Sequence, residues 1–243
     1  MKGLILAAGI ASRLRPLTEN TPKCLLSIGE KKILEQTIDN LLANSITEII
    51  IVTGFLNKKI EDFVKENYPE LKVTFLHNES YESTNNIFSL WLAKEAVENE
   101  DFILLDSDIV FDKEIISLLL QSEYENCLAL KTGIELGDEE IKVKLAEDSS
   151  IIEISKEVNP DEAAGESIGI EKFSAQFGGE LFKILDEMII EERMENVFYE
   201  AAFQRAIENG TKMFAVPVGE KYCMEIDFAE DLDAAKLLVA NKV

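Results

Sequence analysis

Apolar positions recur along this chain in two rhythms. Residues 3–8 (GLILAA) are an unbroken apolar run, as in a strand buried on both faces. Residues 31–44 (KKILEQTIDNLLAN) place Ile33, Leu34, Ile38, Leu41 and Leu42 on one helical stripe. ITEIIIVTGF is a second continuous run, residues 57–67 have helical spacing, and LKVTFLH reads as another strand. Asn86 to Val97 reads as helix, DFILLDSD as strand and 112–121 as helix. Strand and helix alternate through this half, which predicts a doubly wound, mainly parallel sheet. Beyond residue 126, CLALKTG, EIKVKLAED and SSIIEISKE alternate at period two, as antiparallel strands do. GESIGIEKF reads as one more strand. Helices are expected near 175–190 and 196–209, then strand KMFAVPV, then CMEID, then a helix over 229–240. No Pro/Gly/Ser-rich linker or internal repeat interrupts the 243 residues, so a single domain over 1–243 is expected.

Composition narrows the function classes. Apolar residues make up 47% of the chain, enough for a full α/β core. Lys+Arg is 24 against 47 Asp+Glu, a formal charge of −23. Nucleic acid and anionic membrane surfaces repel such a chain, so neither is expected as a partner. Cys24, Cys127 and Cys223 are far apart with no C-x-x-C, which argues against a disulfide framework or a zinc site and fits a reducing cytoplasm. The apolar start is too short for a signal sequence, and no stretch approaches ~18 consecutive apolar residues, so no membrane span is expected.

In open α/β sheets ligands sit beyond the carboxyl ends of the strands, so chemistry is sought just after each strand. The first strand ends at Leu6-Ala7-Ala8-Gly9, where small side chains let backbone N–H groups approach an anion. Arg13, Arg15 and Lys23 add positive charge, and Pro16 and Pro22 stiffen the loop. Such a loop suits a triphosphate, although an ordinary turn with surface arginines has the same composition. It matches neither the P-loop nor the dinucleotide-binding glycine pattern. FILLDSDIVF ends a strand with Asp106 and Asp108, and CMEIDFAEDL places Asp227 after another; carboxylates are what a hard cation takes. Asp227 has a second reading as the N-cap of the next helix, and Asp106 as a buried structural carboxylate.

The stretch LAAGIASRLRPLTENTPKCLLSIG resembles the signature of the nucleotidyltransferases that make NDP-sugars and CDP-alcohols, L-A-A-G-x-G-[ST]-R-L-x-P-L-T-x-x-x-P-K-x-L. Ala11 stands where the second glycine is usual. The resemblance implies a Rossmann-like, doubly wound mixed sheet, mainly parallel, with an antiparallel β-ribbon insertion. It implies a nucleotide-binding half over 1–125, with Leu6, Ala7, Ala8 and Gly9 on the nucleotide, and an acceptor-binding half over 126–243. By the same resemblance Arg13 grips the β,γ-phosphates, Lys23 stabilises the α-phosphate, and Asp108 and Asp227 bind Mg²⁺, with Asp106 the lesser candidate. A phosphate oxygen of the acceptor would attack the α-phosphorus and expel pyrophosphate. That needs no general base, which suits a chain whose single histidine, His77, ends a strand.

Lys156 in ISKEVNP stands where, by the resemblance, sugar nucleotidyltransferases carry the E-K-P lysine that holds the acceptor's phosphate, here as Ser155-Lys156-Glu157; Lys142 and Lys131 are weaker candidates. NESYESTNNIFSLWLAKE resembles the N-N-x-Y-S-L segment of bacterial CTP:phosphocholine cytidylyltransferases, with Asn85 and Asn86 at a helix start, free to read a pyrimidine or a phosphate. The segments GDEEIKVKL, SK and GESIGIEKF resemble the phosphocholine and 2-aminoethylphosphonate branch more than the glucose-1-phosphate branch. A choline head group wants an aromatic cage. Gly133, Ile134 and Lys142 stand where phosphocholine enzymes carry aromatics, and Trp91 is expected in the core. Glu139 and Glu166 are acidic residues on the acceptor side, Glu166 the one to hold an ammonium or hydroxyls; Phe198, Tyr199 and Tyr222 are candidates for an aromatic wall. The expected activity is joining CTP to a small phosphorylated or phosphonylated alcohol or amine (phosphocholine-like, aminoethylphosphonate-like or inositol phosphate-like). A UTP- or dTTP-dependent hexose-1-phosphate enzyme and a catalytically silent sensor on the same fold are the rivals, and a homodimer is left open.

Overall fold

The computed structural model describes residues 1–240; the last three positions of the expected 1–243 domain lie outside them. In chain order the elements are β1 (Lys2–Ala7), a short hairpin of β2 (Ser27–Ile28) and β3 (Lys31–Lys32), α1 (Ile33–Ala43), β4 (Glu48–Thr53), α2 (Asn57–Asn67), β5 (Lys72–His77), α3 (Asn86–Leu92), α4 (Lys94–Val97), β6 (Phe102–Asp106), β7 (Ile109–Phe111) and α5 (Glu114–Gln121). Then come β8 (Cys127–Lys131), β9 (Lys142–Leu145), β10 (Ile151–Ser155), β11 (Gly165–Phe173), α6 (Ala175–Asp186), α7 (Glu200–Glu208), β12 (Phe214–Pro217), β13 (Cys223–Glu225) and α8 (Ala229–Ala240).

Nine strands make one mixed sheet in the order β10-β9-β11-β6-β1-β4-β5, with β8 beside β11 and β12 beside β8. Its centre is parallel: β1 pairs with β4 and β6, and β4 with β5. The continuous apolar runs of β1, β4 and β6 follow from this placement, because both their faces are covered, whereas β5 lies at the edge with Lys72, Thr74 and His77 exposed. Leu4 and Leu6 face a cluster with Leu90, Phe177, Leu181 and Phe203, from α3, α6 and α7. Ile5 and Ala7 face the opposite cluster, with Leu34, Ile38, Ile60 and Ile116 from α1, α2 and α5. The three cysteines are buried and free. No helix among the described residues is long and apolar enough to cross a membrane.

The period-two half is antiparallel where β9 pairs with β10 and β11 pairs with β6, β8 and β9; β12, however, lies parallel to β8. The expected helix over 86–97 is interrupted at Ala93, where the Ala93 N–H tightens onto the Leu90 carbonyl at 3.0 Å. The helix expected over 175–190 is α-helical only to Asp186 and continues as a wider turn, Glu187–Glu191. The helix expected from 196 starts at Glu200, because the Tyr199 N–H is taken by the Asn86 side-chain oxygen at 2.9 Å.

One distortion shapes the functional edge. The register of β11 against β8 shifts between Ser167 and Glu171, and Gly169 there has φ +66°. A Cβ on Gly169 would stand 2.6 Å from Asp106 Oδ2, so only glycine lets β11 bend over the carboxyl end of β6.

Candidate active site

A cleft of about 690 Å³ opens over the carboxyl ends of β1 and β6 and under the bent start of β11. Leu6, Ala7, Ala8 and Gly9 form one side. The loop is pressed into place from behind: the Phe55 N–H donates to the Ala8 carbonyl at 3.2 Å, and a Cβ on Gly54 would stand 2.6 Å from that oxygen. Ala11 takes a left-handed backbone, φ 52°, the conformation that explains why glycine is usual at this place in the motif.

Lys23 sits on a one-turn helix after Pro22, with its ammonium 2.7 Å from Asp108 Oδ2 and 2.9 Å from Asp227 Oδ1. Burial alone would lower its pKa, but the two carboxylates outweigh that and hold it at about 12. Arg13 reaches Asp227 Oδ2 at 2.8 Å and stacks over Phe228, 5.2 Å from the ring centre. The two aspartates meet because β7 and β13 form an antiparallel ribbon in which Glu225 pairs with Ile109, and the Ile226 N–H donates to the Asp108 carbonyl at 3.0 Å. Asp227 is not the cap of α8: Asp231 Oδ2 accepts the Asp227 and Phe228 N–H groups at 3.0 and 2.7 Å, leaving the Asp227 carboxylate to Lys23 and Arg13.

Oxygens of Asp108, Glu225 and Asp227 lie within 4.8 Å of one another. Asp108 Oδ1 is buried without a hydrogen-bond partner. Burial, then the charges of Asp108 and Asp227, push the Glu225 carboxyl up to about 8. This all-oxygen, electron-rich set fits a hard divalent cation. Sequence reading missed Glu225, which joins the set because it ends β13 opposite Ile109, next to Asp108. Asp106 is not in this set. Its Oδ2 accepts the Tyr199 hydroxyl at 2.9 Å, and burial followed by the charges of Asp108 and Glu200 holds its pKa up.

Lys156 lies on the facing wall, 3.2 Å from Glu139 and over the Phe198 ring at 4.8 Å. Glu139 also approaches Arg13 at 3.7 Å, so one carboxylate bridges the cations of the two walls. Glu166 lines the cleft with its pKa raised, by burial first, against the pull of Lys131. Lys131 lines the cleft too, donating to the Cys223 carbonyl at 2.8 Å, whereas Lys142 is buried with its ammonium on the Gly137 carbonyl at 2.7 Å. Asn85 and Asn86 line it from the start of α3, each with its side-chain oxygen taken: Asn85 by the Asn86 N–H at 2.8 Å, Asn86 by the Tyr199 N–H.

Two sequence expectations are corrected. Tyr199 is 0% exposed and stands in the core behind the cleft; its neighbour Phe198, 41% exposed, is the ring that reaches the wall. Tyr222 packs in the cluster of Leu14, Ile28 and Val110, and its hydroxyl accepts from Gln36 at 3.1 Å rather than lining the cleft. Helix and ribbon direction decide which of two adjacent aromatics faces outward, and the composition at these positions is equally compatible with either. His77 is exposed at the end of β5 and does not line the cleft; Trp91 is half-buried, its indole N–H on Asp186 at 2.9 Å. Glu200, which the sequence did not single out, lines the cleft at 5% exposure.

Comparison with known proteins places this geometry among relatives. A family model described as nucleotidyl transferase matches residues 2–134. The CTP:phosphoglutamine cytidylyltransferase of Campylobacter jejuni is 31% identical over 252 aligned positions, covering 96% of this chain and 98% of that protein. The choline-phosphate cytidylyltransferase of Streptococcus pneumoniae is 42% identical over 108 residues, 44% of each chain. Among solved structures, the CTP:phosphocholine cytidylyltransferase from S. pneumoniae superposes with a TM-score of 0.80 at 25% identity, covering 98% of both chains.

Proposed function

Because the chain belongs to the nucleotidyl transferase family, we propose that it joins CTP to a small phosphorylated or phosphonylated alcohol or amine, giving a CDP-type product and pyrophosphate. The observation that carries this reading is the convergence, in one cleft, of Lys23 and Arg13 on Asp108 and Asp227, with Lys156 on the facing wall. The chain works as one unit, with its walls drawn from both halves. Retention of all five charged groups argues against a silent sensor. Relatives that use CTP support the choice of nucleotide. So does chemistry: with their oxygens engaged, Asn85 and Asn86 offer amide N–H₂ groups, which suit the two acceptors on the cytosine edge and not the N–H of uracil.

The acceptor's phosphate oxygen is already a nucleophile. It attacks the α-phosphorus in line, the new P–O bond forms, and the bond to pyrophosphate breaks. Lys156 holds the incoming phosphate, and Lys23 donates hydrogen bonds to the α-phosphoryl oxygens as charge builds there. Arg13 steadies the β,γ-phosphates. Asp108 and Asp227, with Glu225 beside them, would hold Mg²⁺, which when bound supplies charge neutralisation at the phosphates.

The test is a nucleotide-by-acceptor panel read as pyrophosphate release. CTP, UTP and dTTP are paired with phosphocholine, phosphoethanolamine, inositol 1-phosphate and glucose 1-phosphate. Release is expected with CTP, is abolished by EDTA and is restored by excess Mg²⁺. Release confined to UTP or dTTP with glucose 1-phosphate would replace this reading with the hexose-1-phosphate one. Undiminished turnover in EDTA would make the aspartates structural.

A further inference from the structure

At the acceptor end of the cleft, three carboxylates crowd together near a single cation that is already engaged with Glu139. Glu200 opens α7, is 5% exposed, and lines the cleft with Oε2 lacking any hydrogen-bond partner. Asp106 is beside it, with Oδ2 held by the Tyr199 hydroxyl. Glu171, 0% exposed on β11, stands behind both. Burial, then the charges of Asp106 and Glu200, raise the carboxyl of Glu171; the pull of the Ser167 and Tyr199 hydroxyls on it is weaker. The cation that acts on Glu200 is Lys156, whose ammonium is already on Glu139 and over Phe198. A buried carboxylate oxygen without a partner is costly, and it is compensated when a ligand brings an N–H donor with positive charge.

The aromatic residues of the cleft narrow that ligand. They are Tyr81, Phe198 and Phe228. Phe198 and Phe228 each carry a protein cation on one face, Lys156 and Arg13, and Tyr81 leans against Phe55 with ring centres 6.3 Å apart. A quaternary ammonium has no N–H to donate and depends on several aromatic faces. A primary ammonium has three N–H donors, matched to a floor of carboxylate oxygens.

We propose that the acceptor carries a primary ammonium and that Glu200 is the residue that selects it, drawing it onto a floor shared with Asp106. This rests on the reading of the cleft as a cytidylyltransferase site, and two measurements keep the two claims apart. The first is direct binding by calorimetry of phosphoethanolamine, phosphocholine and glycerol 3-phosphate to the wild-type chain and to Glu200→Gln, with Mg²⁺ and CTP present at low temperature or replaced by a non-hydrolysable CTP analogue. The second is pyrophosphate release with the same three acceptors.

Phosphoethanolamine is expected to bind wild type at least tenfold more tightly than phosphocholine. Glu200→Gln should lose about tenfold for phosphoethanolamine alone, with the KM for CTP unchanged and glycerol 3-phosphate little affected. Phosphocholine binding as well as phosphoethanolamine, no binding of phosphoethanolamine, or an equal loss for all three acceptors in Glu200→Gln, would overturn the proposal while leaving CTP turnover intact. Glu200-dependent amine binding without turnover would uphold it and remove the proposed reaction.

Discussion

Lys23 shows how one side chain couples the two halves of the chain. Its ammonium occupies the oxygens of Asp108 and Asp227 that a divalent cation would take. Lys23→Ala is expected to lower kcat on the order of 100-fold, the loss of one donor at a charge-developing centre. The same variant should bind Mg²⁺ more tightly in the absence of nucleotide, because the competing ammonium is gone; calorimetry with Mg²⁺ alone reads this, and unchanged affinity would disprove the competition. Glu200 illustrates the opposite balance, function against stability. Burial raises its carboxyl from 4.5 to about 7, against the pull of its own backbone N–H and Lys156. Below the unfolded value both states are protonated and the fold bears no cost. As pH rises toward 7 the unfolded chain ionises while the buried group resists, so stability falls over that window. Glu200→Gln should therefore raise Tm at pH 8 by an amount corresponding to about 2–3 kcal/mol, and much less at pH 5. An equal change at both pH values would show that packing, not charge, sets the effect.

Among the elements, β11 and the β7–β13 ribbon place the chemistry. The left-handed bend at Gly169 carries Glu166 and Ser167 over the cleft while leaving room for Asp106. Gly169→Ala forces a Cβ into a position 2.6 Å from Asp106 Oδ2 at a backbone angle that costs about 1–2 kcal/mol by itself. Tm should fall by several degrees. The KM for the acceptor should rise more than the KM for CTP, since the bend borders the acceptor end. Equal changes in the two KM values would assign the bend to the whole cleft. The ribbon shows where element-level reading succeeds and stops. Asp108 and Asp227 were legible because each comes just after a strand and the resemblance to the nucleotidyltransferase family falls on them. Glu225 was not, because a glutamate in a three-residue strand carries no signal until Ile109 is known to lie opposite.

The whole molecule sets the field in which the site works. With 47 acidic against 24 basic residues, the formal charge is −23, and carboxylates outnumber cations on the cleft walls as well. A nucleotide carrying net negative charge is repelled on approach. The kcat/KM for CTP is therefore expected to rise as ionic strength goes from about 0.01 M to about 0.15 M at constant free Mg²⁺, a change in screening length from roughly 30 Å to 8 Å. A fall over that range would mean that the local cations of the first loop dominate the approach.

By itself the sequence determined the doubly wound centre, and through its resemblance to the nucleotidyltransferase signature it singled out the first loop, Asp108 and Asp227. Each is written in short-range pattern: two-sided burial produces continuous apolar runs, and a loop that must admit backbone close to an anion needs small residues and fixed cations within a few positions. Tertiary structure alone decided the rest. Whether Phe198 or Tyr199 faces the cleft depends on how α7 is clamped to Asn86, 113 residues away. Glu200 joins Asp106 and Glu171 only because α7, β6 and β11 meet there. Such groupings depend on packing between distant elements, and a carboxylate's burial and charge partners exist only once those elements have docked.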